Sequence, residues 1–298
     1  MDPAVPEARA PSHAEPSEFT IASLLQTSTV AIRDIYCRGS CGHKGAEECA
    51  TSSHLVFPYR GVYVRHVGTD QSVAEANQVL LFSPEQGYRV SHPIQGGDAS
   101  LSLVIADEQL RELAPKALLR GGSVLGFDRQ RLRIDPRTQA LVALLRHSLR
   151  TGLAEPLEAE SLALTLVQRA LGPRTTHTAG ASSGRQRLAD RAKLVLSSDL
   201  SRRWTLADVA GEVGTSPVYL TQVFQQVEGV PLYRYQLRLR LARALDLMDR
   251  HDDLSELAMA LGFSSHSHFS AAFQQAYGRS PSAFRRSALP NRPGPARR

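Results

Sequence analysis

The sequence predicts a two-domain α+β chain. A small antiparallel β-barrel or sandwich carrying a helical segment comes first, and an all-α domain of two tandem helix-turn-helix units follows. Three observations predict it. A pattern of small, apolar and glycine positions repeats at an interval of 48 to 49 residues between Leu206 and Phe284. Short β-branched and aromatic runs, separated by Gly, Pro, Asn and Asp clusters, fill the stretch from about Thr20 to Ala106. The charge divides in the same way: residues 185–298 hold 17 Lys+Arg against 10 Asp+Glu, a net +7, which leaves −1 for residues 1–184 of the total +6. A basic half beside a neutral half predicts one nucleic-acid domain and one with another task. At 298 residues the chain can hold both and bury a sizeable core.

Residues 1–18 are rich in Pro, Ala and Glu and are expected to be disordered. They lack the basic start and apolar stretch of a signal peptide, and no apolar run in the chain is long enough to span a bilayer. A soluble, cytoplasmic protein with no membrane partner is expected. The predicted strands are Val30–Tyr36, His54–Pro58, Val62–Val67, Gln78–Phe82, Tyr88–His92 and Leu101–Ala106. Gly68-Thr69-Asp70 and Gly96-Gly97-Asp98 read as turns. If Tyr59-Arg60-Gly61 is a three-residue hairpin loop, Pro58 faces Val62 and His54 faces His66 on one sheet face, with His92 as a third imidazole.

Helices are predicted over 107–121, 136–151 and 155–171, with Leu110, Leu113, Ala114 and Leu118 the stripe of the first. Leu141, Leu144, Leu145 and Leu149 form the next stripe, and Leu162, Leu166 and Ala170 the last. Packing against the barrel and dimerisation are both open readings of this pair. Residues 172–184, GPRTTHTAGASSG, have the composition of a flexible linker. The domain bounds expected are 19–171 and 185–286, with a disordered Pro- and Arg-rich tail over 287–298.

The second domain carries the strongest pattern. Its units centre on LADVAGEVGTSPVYLTQVF (206–224) and LSELAMALGFSSHSHFSAAF (254–273). Ala210 and Ala258 are the small residues where one helix crosses the next, and Gly214 and Gly262 permit a left-handed turn. Ser216 and Ser265 stand where an N-cap is wanted, and Pro217 follows at the first helical position. The late interval is one residue longer, so the second turn is expected to carry one extra residue. A joining helix is predicted from about Leu232 to Met248, with Leu237, Leu241, Ala244, Leu245 and Met248 as its core stripe. Its Arg238, Arg240 and Arg243 are candidates for contact with DNA phosphates. The recognition helices are expected over Pro217–Gln226 and His266–Gln275. With Leu220, Val223, Phe224, Phe269 and Phe273 turned inward, the candidate base-facing residues are Val218, Thr221, Gln222, Gln225, His266, Ser267 and Ser270.

These residues, above all GFSSHSHFSAAFQQAYGRSPSAFRR (262–286) and EGVPLYRYQLRLRLARALDLM (228–248), resemble the DNA-binding domain of the AraC/XylS family of transcription regulators. The resemblance covers about a third of the chain. It implies a sequence-specific transcription regulator whose recognition helices enter successive major-groove segments of double-stranded promoter DNA. The first domain resembles, less specifically, the cupin-like sensor domain that precedes the DNA-binding domain in many members. That implies a small-molecule effector bound in the barrel, a helical dimerisation segment, a homodimer, and contact with RNA polymerase. No cofactor is expected. Members often carry Arg or Lys in the recognition helices, whereas this chain has small hydroxyls, Gln and His there, so backbone contact and DNA shape are expected to supply much of the affinity.

One constellation outside this frame can carry chemistry. Cys37, Cys41 and Cys49 lie close together with His43, and Glu47, Glu48 and His54 are near them. Clustered Cys and His in a cytoplasmic chain point to metal binding or redox sensing more than to a structural disulfide, and three thiolates with one imidazole would complete a tetrahedral zinc site. The spacing lacks a CxxC pair, and idle thiols in a loop over the barrel mouth are the other reading. Tyr36-Cys37-Arg38-Gly39-Ser40-Cys41 also resembles the start of the alkyl-phosphotriester-accepting zinc module of Ada-type regulators, without its later CxxC. A metal or redox sensor, or a metal-dependent or alkyl-accepting enzyme-like domain, fused to the same DNA-binding domain is therefore the competing reading. There is no phosphate-cradling glycine loop, no GxSxG and no HExxH, and no enzyme is expected.

Overall fold

A computed structural model describes residues 19–39, 42–121, 124–172 and 182–288. The predicted disorder of 1–18, most of the linker, most of the tail, and Cys41 lie outside these residues. The N-terminal domain is a curled antiparallel half-barrel. Its strands are β1 (Phe19–Gln26), β2 (Val30–Cys37), β3 (Glu48–Cys49), β4 (His54–Arg60), β5 (Tyr63–Val67), β6 (Asp70–Ala74), β7 (Gln78–Phe82), β8 (Gly87–Ser91) and β9 (Asp98–Ile105). Helix α1 (Asp107–Leu113) and the short strands β10 (Leu119–Arg120), β11 (Gly126–Phe127) and β12 (Arg131–Arg133) complete it, before α2 (Pro136–Thr151) and α3 (Pro156–Leu171). One sheet runs β1-β2-β9-β4-β7-β12, a second β3-β8-β5-β6, and β10 pairs with β11 in a two-stranded third.

Period-2 alternation builds the larger sheet. Val30 and Ile32 on β2, Leu55 and Phe57 on β4, Val79 and Leu81 on β7, and Leu101, Leu103 and Ile105 on β9 point to one face. Leu145 of α2 and Ala163, Leu166 and Ala170 of α3 close that core. Burying each large aliphatic side chain there is worth about 1.5–3 kcal/mol. Packing of the helix pair on the half-barrel is thus seen directly, while Leu157, Glu158, Ser161, Thr165 and Gln168 on the outer side of α3 are exposed.

Two sequence expectations need correction. The hairpin about Tyr59-Arg60-Gly61 does not form: β4 pairs with β7 and β9, whereas β5 pairs with β6 and β8 in the other sheet. Gly61, at φ 68°, instead turns the chain from one sheet to the other, where a Cβ would run into the backbone oxygen of Gly97. His54 and His66 therefore belong to different sheets. His54 stacks on Phe82 at 4.7 Å, and His66 bonds Ser91 Oγ at 2.8 Å. The helix expected over 107–121 stops at Leu113, because Ala114 precedes a proline and is driven to extended backbone. Strands β1 and β6 and the short β3, β10, β11 and β12 were not predicted; β1 is almost wholly exposed and so shows no alternation.

The C-terminal domain comprises α4 (Ser183–Ser198), α5 (Leu206–Glu212), α6 (Pro217–Glu228), α7 (Leu232–Leu247), α8 (Leu254–Ala260), α9 (His266–Tyr277) and α10 (Pro281–Ala288). It has two small cores, and α7 belongs to both. Tyr235 and Leu239 pack with Val209, Ala210, Leu220 and Phe224 of the first unit. Leu241, Ala244 and Met248 pack with Leu257, Ala258, Phe269 and Phe273 of the second.

Candidate nucleic-acid interface

Each helix-turn-helix unit is set by its turn. Gly214 and Gly262 adopt φ 65° and 79°, the left-handed region that a Cβ disfavours. The first turn separates Glu212 from Pro217 and the second Ala260 from His266, so the second does carry one more residue. Thr205 closes a capping box with Asp208 at the start of α5. Ser216 Oγ then accepts from Tyr219 N at 3.2 Å, and Ser265 Oγ from His268 N at 3.1 Å. These caps fix where α6 and α9 begin and hence which residues turn outward.

Outward on α6 lie Val218, Thr221, Gln222 and Gln225, all exposed, with Leu220, Val223 and Phe224 buried behind them. Thr221 Oγ1 donates back to Pro217 O at 2.9 Å, which engages its hydroxyl hydrogen within the helix. Gln222 makes no hydrogen bond among the described residues, so both its amide nitrogen and oxygen are open to a ligand. On α9, His266 and Ser267 are exposed and Ser270 is half-buried, with its hydroxyl 3.4 Å from His266 Nε2.

The joining-helix arginines are placed otherwise than the phosphate reading expects. Arg240 is 8% exposed, and its guanidinium donates to three carbonyl oxygens: Leu200 O at 2.7 Å, Arg202 O at 2.8 Å and Gly262 O at 3.0 Å. It ties the turn of the second unit to the segment leading into the first. Arg243 pairs with Asp246 one turn further along α7. Arg238 is half-buried and lines a cleft of about 490 Å³ with Arg137, Arg169 and Arg234, between α2 and α3 on one side and α7 and α9 on the other. The pattern of arginines on one helix could not show that this helix lies against another domain.

That junction is polar and buried. Asp246 on α7 receives Arg60 of β4 at 2.9 and 3.1 Å and Arg146 of α2 at 3.2 Å. Burial pushes the Asp246 carboxyl up, but the Arg60 hydrogen bond and the surrounding guanidiniums outweigh it and hold the group below the usual carboxylate range. A second network joins β12 to α4 and α6: Arg131 Nη1 to Asp190 at 3.2 Å, Lys193 to Asp190 at 3.2 Å, and Lys193 to Glu228 at 2.6 Å. Glu75, after β6, accepts from the Tyr235 hydroxyl of α7. Of the sequence-predicted metal candidates, Cys37 is buried while His43 and Cys49 are exposed.

Known proteins are similar to parts of this chain, above all to its C-terminal domain. Residues 209–287 match the family model described as a helix-turn-helix domain. Over 247 residues, 80% of this chain and 93% of the relative, the sequence is 25% identical to the probable transcriptional regulator LumQ of Photobacterium leiognathi. It is 31% identical over 105 residues, 35% of each chain, to the uncharacterized HTH-type transcriptional regulator YidL of Escherichia coli K12. Among solved structures, a transcriptional regulator from Chromobacterium violaceum with an AraC-type DNA-binding domain is similar at 28% identity, over 36% of this chain and 97% of that one, with a TM-score of 0.34.

Proposed function

We propose that this chain, a DNA-binding transcription regulator of the AraC type, reads two adjacent major-groove segments, one with α6 and one with α9. The observation that carries the reading is the pair of capped helices whose polar faces are exposed while one buried arginine, Arg240, braces the two units together. A fixed separation of the two helices is what a bipartite site requires. Val218, Thr221, Gln222 and Gln225 are the base-facing set on α6, and His266, Ser267 and Ser270 that on α9. Gln222 has the donor and acceptor to pair with adenine at two points, and Val218 and the Thr221 methyl suit thymine methyls. Phosphate contact falls to exposed arginines at the edges of the units, Arg202 and Arg203 before α5 and Arg279 after α9.

The rest of the assignment rests on the same premise. A small-molecule effector acts through the N-terminal domain. We assign it the cleft at the junction, where Arg137, Arg169, Arg234 and Arg238 outnumber the one lining carboxylate, Asp135, which pairs with Arg169, so that an anion is favoured. The exposed side of α3, with Leu157 at 76% exposure, is the surface for a homodimer, and RNA polymerase is the partner at the promoter. No helix among the described residues is long and apolar enough to cross a membrane, and we place the protein in the cytoplasm with its DNA. No reaction is assigned.

Binding-site selection with the full chain tests the central reading. Gln222→Ala and His266→Ala are each expected to relax preference at one place, the two places about one turn of DNA apart, at a cost of about 1–3 kcal/mol each. Sequence preference unaltered at every position in both variants would remove α6 and α9 from the base-reading role.

A further inference from the structure

Cys37, His92 and Asp98 come from three separate parts of the chain: the end of β2, the residue after β8 and the start of β9. One donor atom from each lies within 4.8 Å of the other two, and all three residues are buried. Cys37 and Asp98 are register partners across β2 and β9. We propose that these residues form a binding site for a single divalent transition-metal ion of the zinc class.

Three observations support it. The first is the state of Asp98. Its side chain is 8% exposed, and its Oδ2 stands 2.8 Å from His92 Nε2, yet Oδ2 receives no hydrogen bond. A buried imidazole nitrogen and a buried carboxylate oxygen held this close, with a thiol sulfur beside them, have the arrangement of ligands to a common centre, and a buried carboxylate oxygen gains from a cation there. The second is the backbone around the group. Gly39 and Gly97 take φ 64° and 72°, and a Cβ on Gly97 would lie 2.5 Å from Cys37 O. Only glycine lets segments 37–39 and 96–98 close so tightly. Gly39 N also donates to Cys37 Sγ at 3.3 Å, which helps to orient the sulfur.

The third is the donor set. Thiolate, imidazole and carboxylate together suit zinc and its cobalt and iron neighbours, not the oxygen-only preference of magnesium or calcium. With metal–ligand bonds of about 2.0–2.3 Å, ligand atoms of a tetrahedral ion sit roughly 3.3–3.7 Å apart, so closing the trio onto an ion needs shifts of about 1 Å or less. Three protein ligands leave the fourth position for water or an incoming donor. The site is distinct from the cysteine cluster expected from sequence spacing: of that cluster it uses Cys37 alone, and its other ligands lie 55 and 61 positions further on. It does not rest on the DNA-binding reading.

The test uses tag-free full-length protein, reduced and stripped with a chelator, then titrated with cobalt(II) alone. The expected result is one cobalt per chain, with a thiolate-to-cobalt charge-transfer band and the intense visible bands of a four-coordinate ion. One equivalent of zinc should displace it, and excess magnesium should not. Asp98→Asn and His92→Gln should each weaken cobalt binding by more than about tenfold, and Cys37→Ser should abolish the charge-transfer band. Absence of that band in the wild-type protein overturns the proposal, whatever the variants do. So does a band that persists in Cys37→Ser and disappears in Cys49→Ser.

Discussion

At the residue scale, two buried side chains show how environment assigns a role. Glu75 is 1% exposed, and burial, opposed by the charge of Lys193 and the Tyr235 hydrogen bond, pushes its pKa up from 4.5 to about 7. The folded state therefore holds a proton that the unfolded chain has released between these values. The stability contributed by Glu75 is fully present below about pH 4.5 and is lost as pH rises through about 7. Glu75→Gln keeps an acceptor for Tyr235 but cannot titrate. Urea unfolding at a series of pH values should give a variant whose stability falls less steeply over this window than that of the wild type; parallel curves would contradict the assignment. Arg240 is the second case. Its three carbonyl acceptors make it a brace, so Arg240→Ala should destabilise the C-terminal domain by about 2–4 kcal/mol, counting partly additive charged hydrogen bonds. It should leave the salt dependence of DNA binding unchanged. A salt slope reduced by about one unit, with stability intact, would return Arg240 to the phosphate backbone.

At the element scale, the repeated turn permits a controlled comparison. Gly214 and Gly262 share the left-handed conformation, and Ala at either costs about 1–2 kcal/mol for that alone. A Cβ on Gly214 meets nothing within 4 Å, whereas one on Gly262 would collide with Ser201 O and lie 2.8 Å from Arg240 Nη2. Gly262→Ala should therefore lower the melting temperature clearly more than Gly214→Ala; equal effects would mean that the backbone near Ser201 yields freely. The same comparison shows what could be read from sequence. The turn glycines, serine caps and apolar stripes of α5, α6, α8 and α9 are local, so their spacing was sufficient to place them. Strand order was not legible, because nothing about Tyr59-Arg60-Gly61 distinguishes a hairpin from a crossing between sheets. The partner that decides it, Gly97, is remote in sequence. His92 and Asp98 were read only as a third imidazole and a turn residue, for the same reason: Cys37 reaches them through the β2–β9 register, not through spacing.

At the scale of the whole molecule, α7 is both the spine of the DNA-binding domain and the surface on which the N-terminal domain rests. Asp246 is the centre of that contact, its side chain 1% exposed and met by Arg60, Arg146 and Arg243. Arg146 also bonds Asp34 at 3.2 Å and lies 3.9 Å over the Tyr59 ring, so the ion pairs continue into the half-barrel. Buried pairs of this kind add little net stability over an apolar contact, yet removing one partner leaves the others charged and unmatched, at about 3–5 kcal/mol. The arginines here keep some contact with water, which puts the expected loss for Asp246→Ala at the lower end of that range. The loss should be spent at the junction, because Asp246 takes no part in either helix-turn-helix turn. Asp246→Ala combined with Glu75→Ala and Arg131→Ala, which removes these two polar contacts of α7 and the Arg131–Asp190 pair of the second network, should therefore uncouple the domains. Calorimetry should then show two transitions where the wild type shows one, and hydrogen exchange should quicken along α7 more than along α5 or α9. A single transition with unchanged protection of α7 would mean that the remaining contacts, among them the packing of α2 against α7 and α9 and the Asn77–Tyr235 hydrogen bond, hold the domains together without these ion pairs.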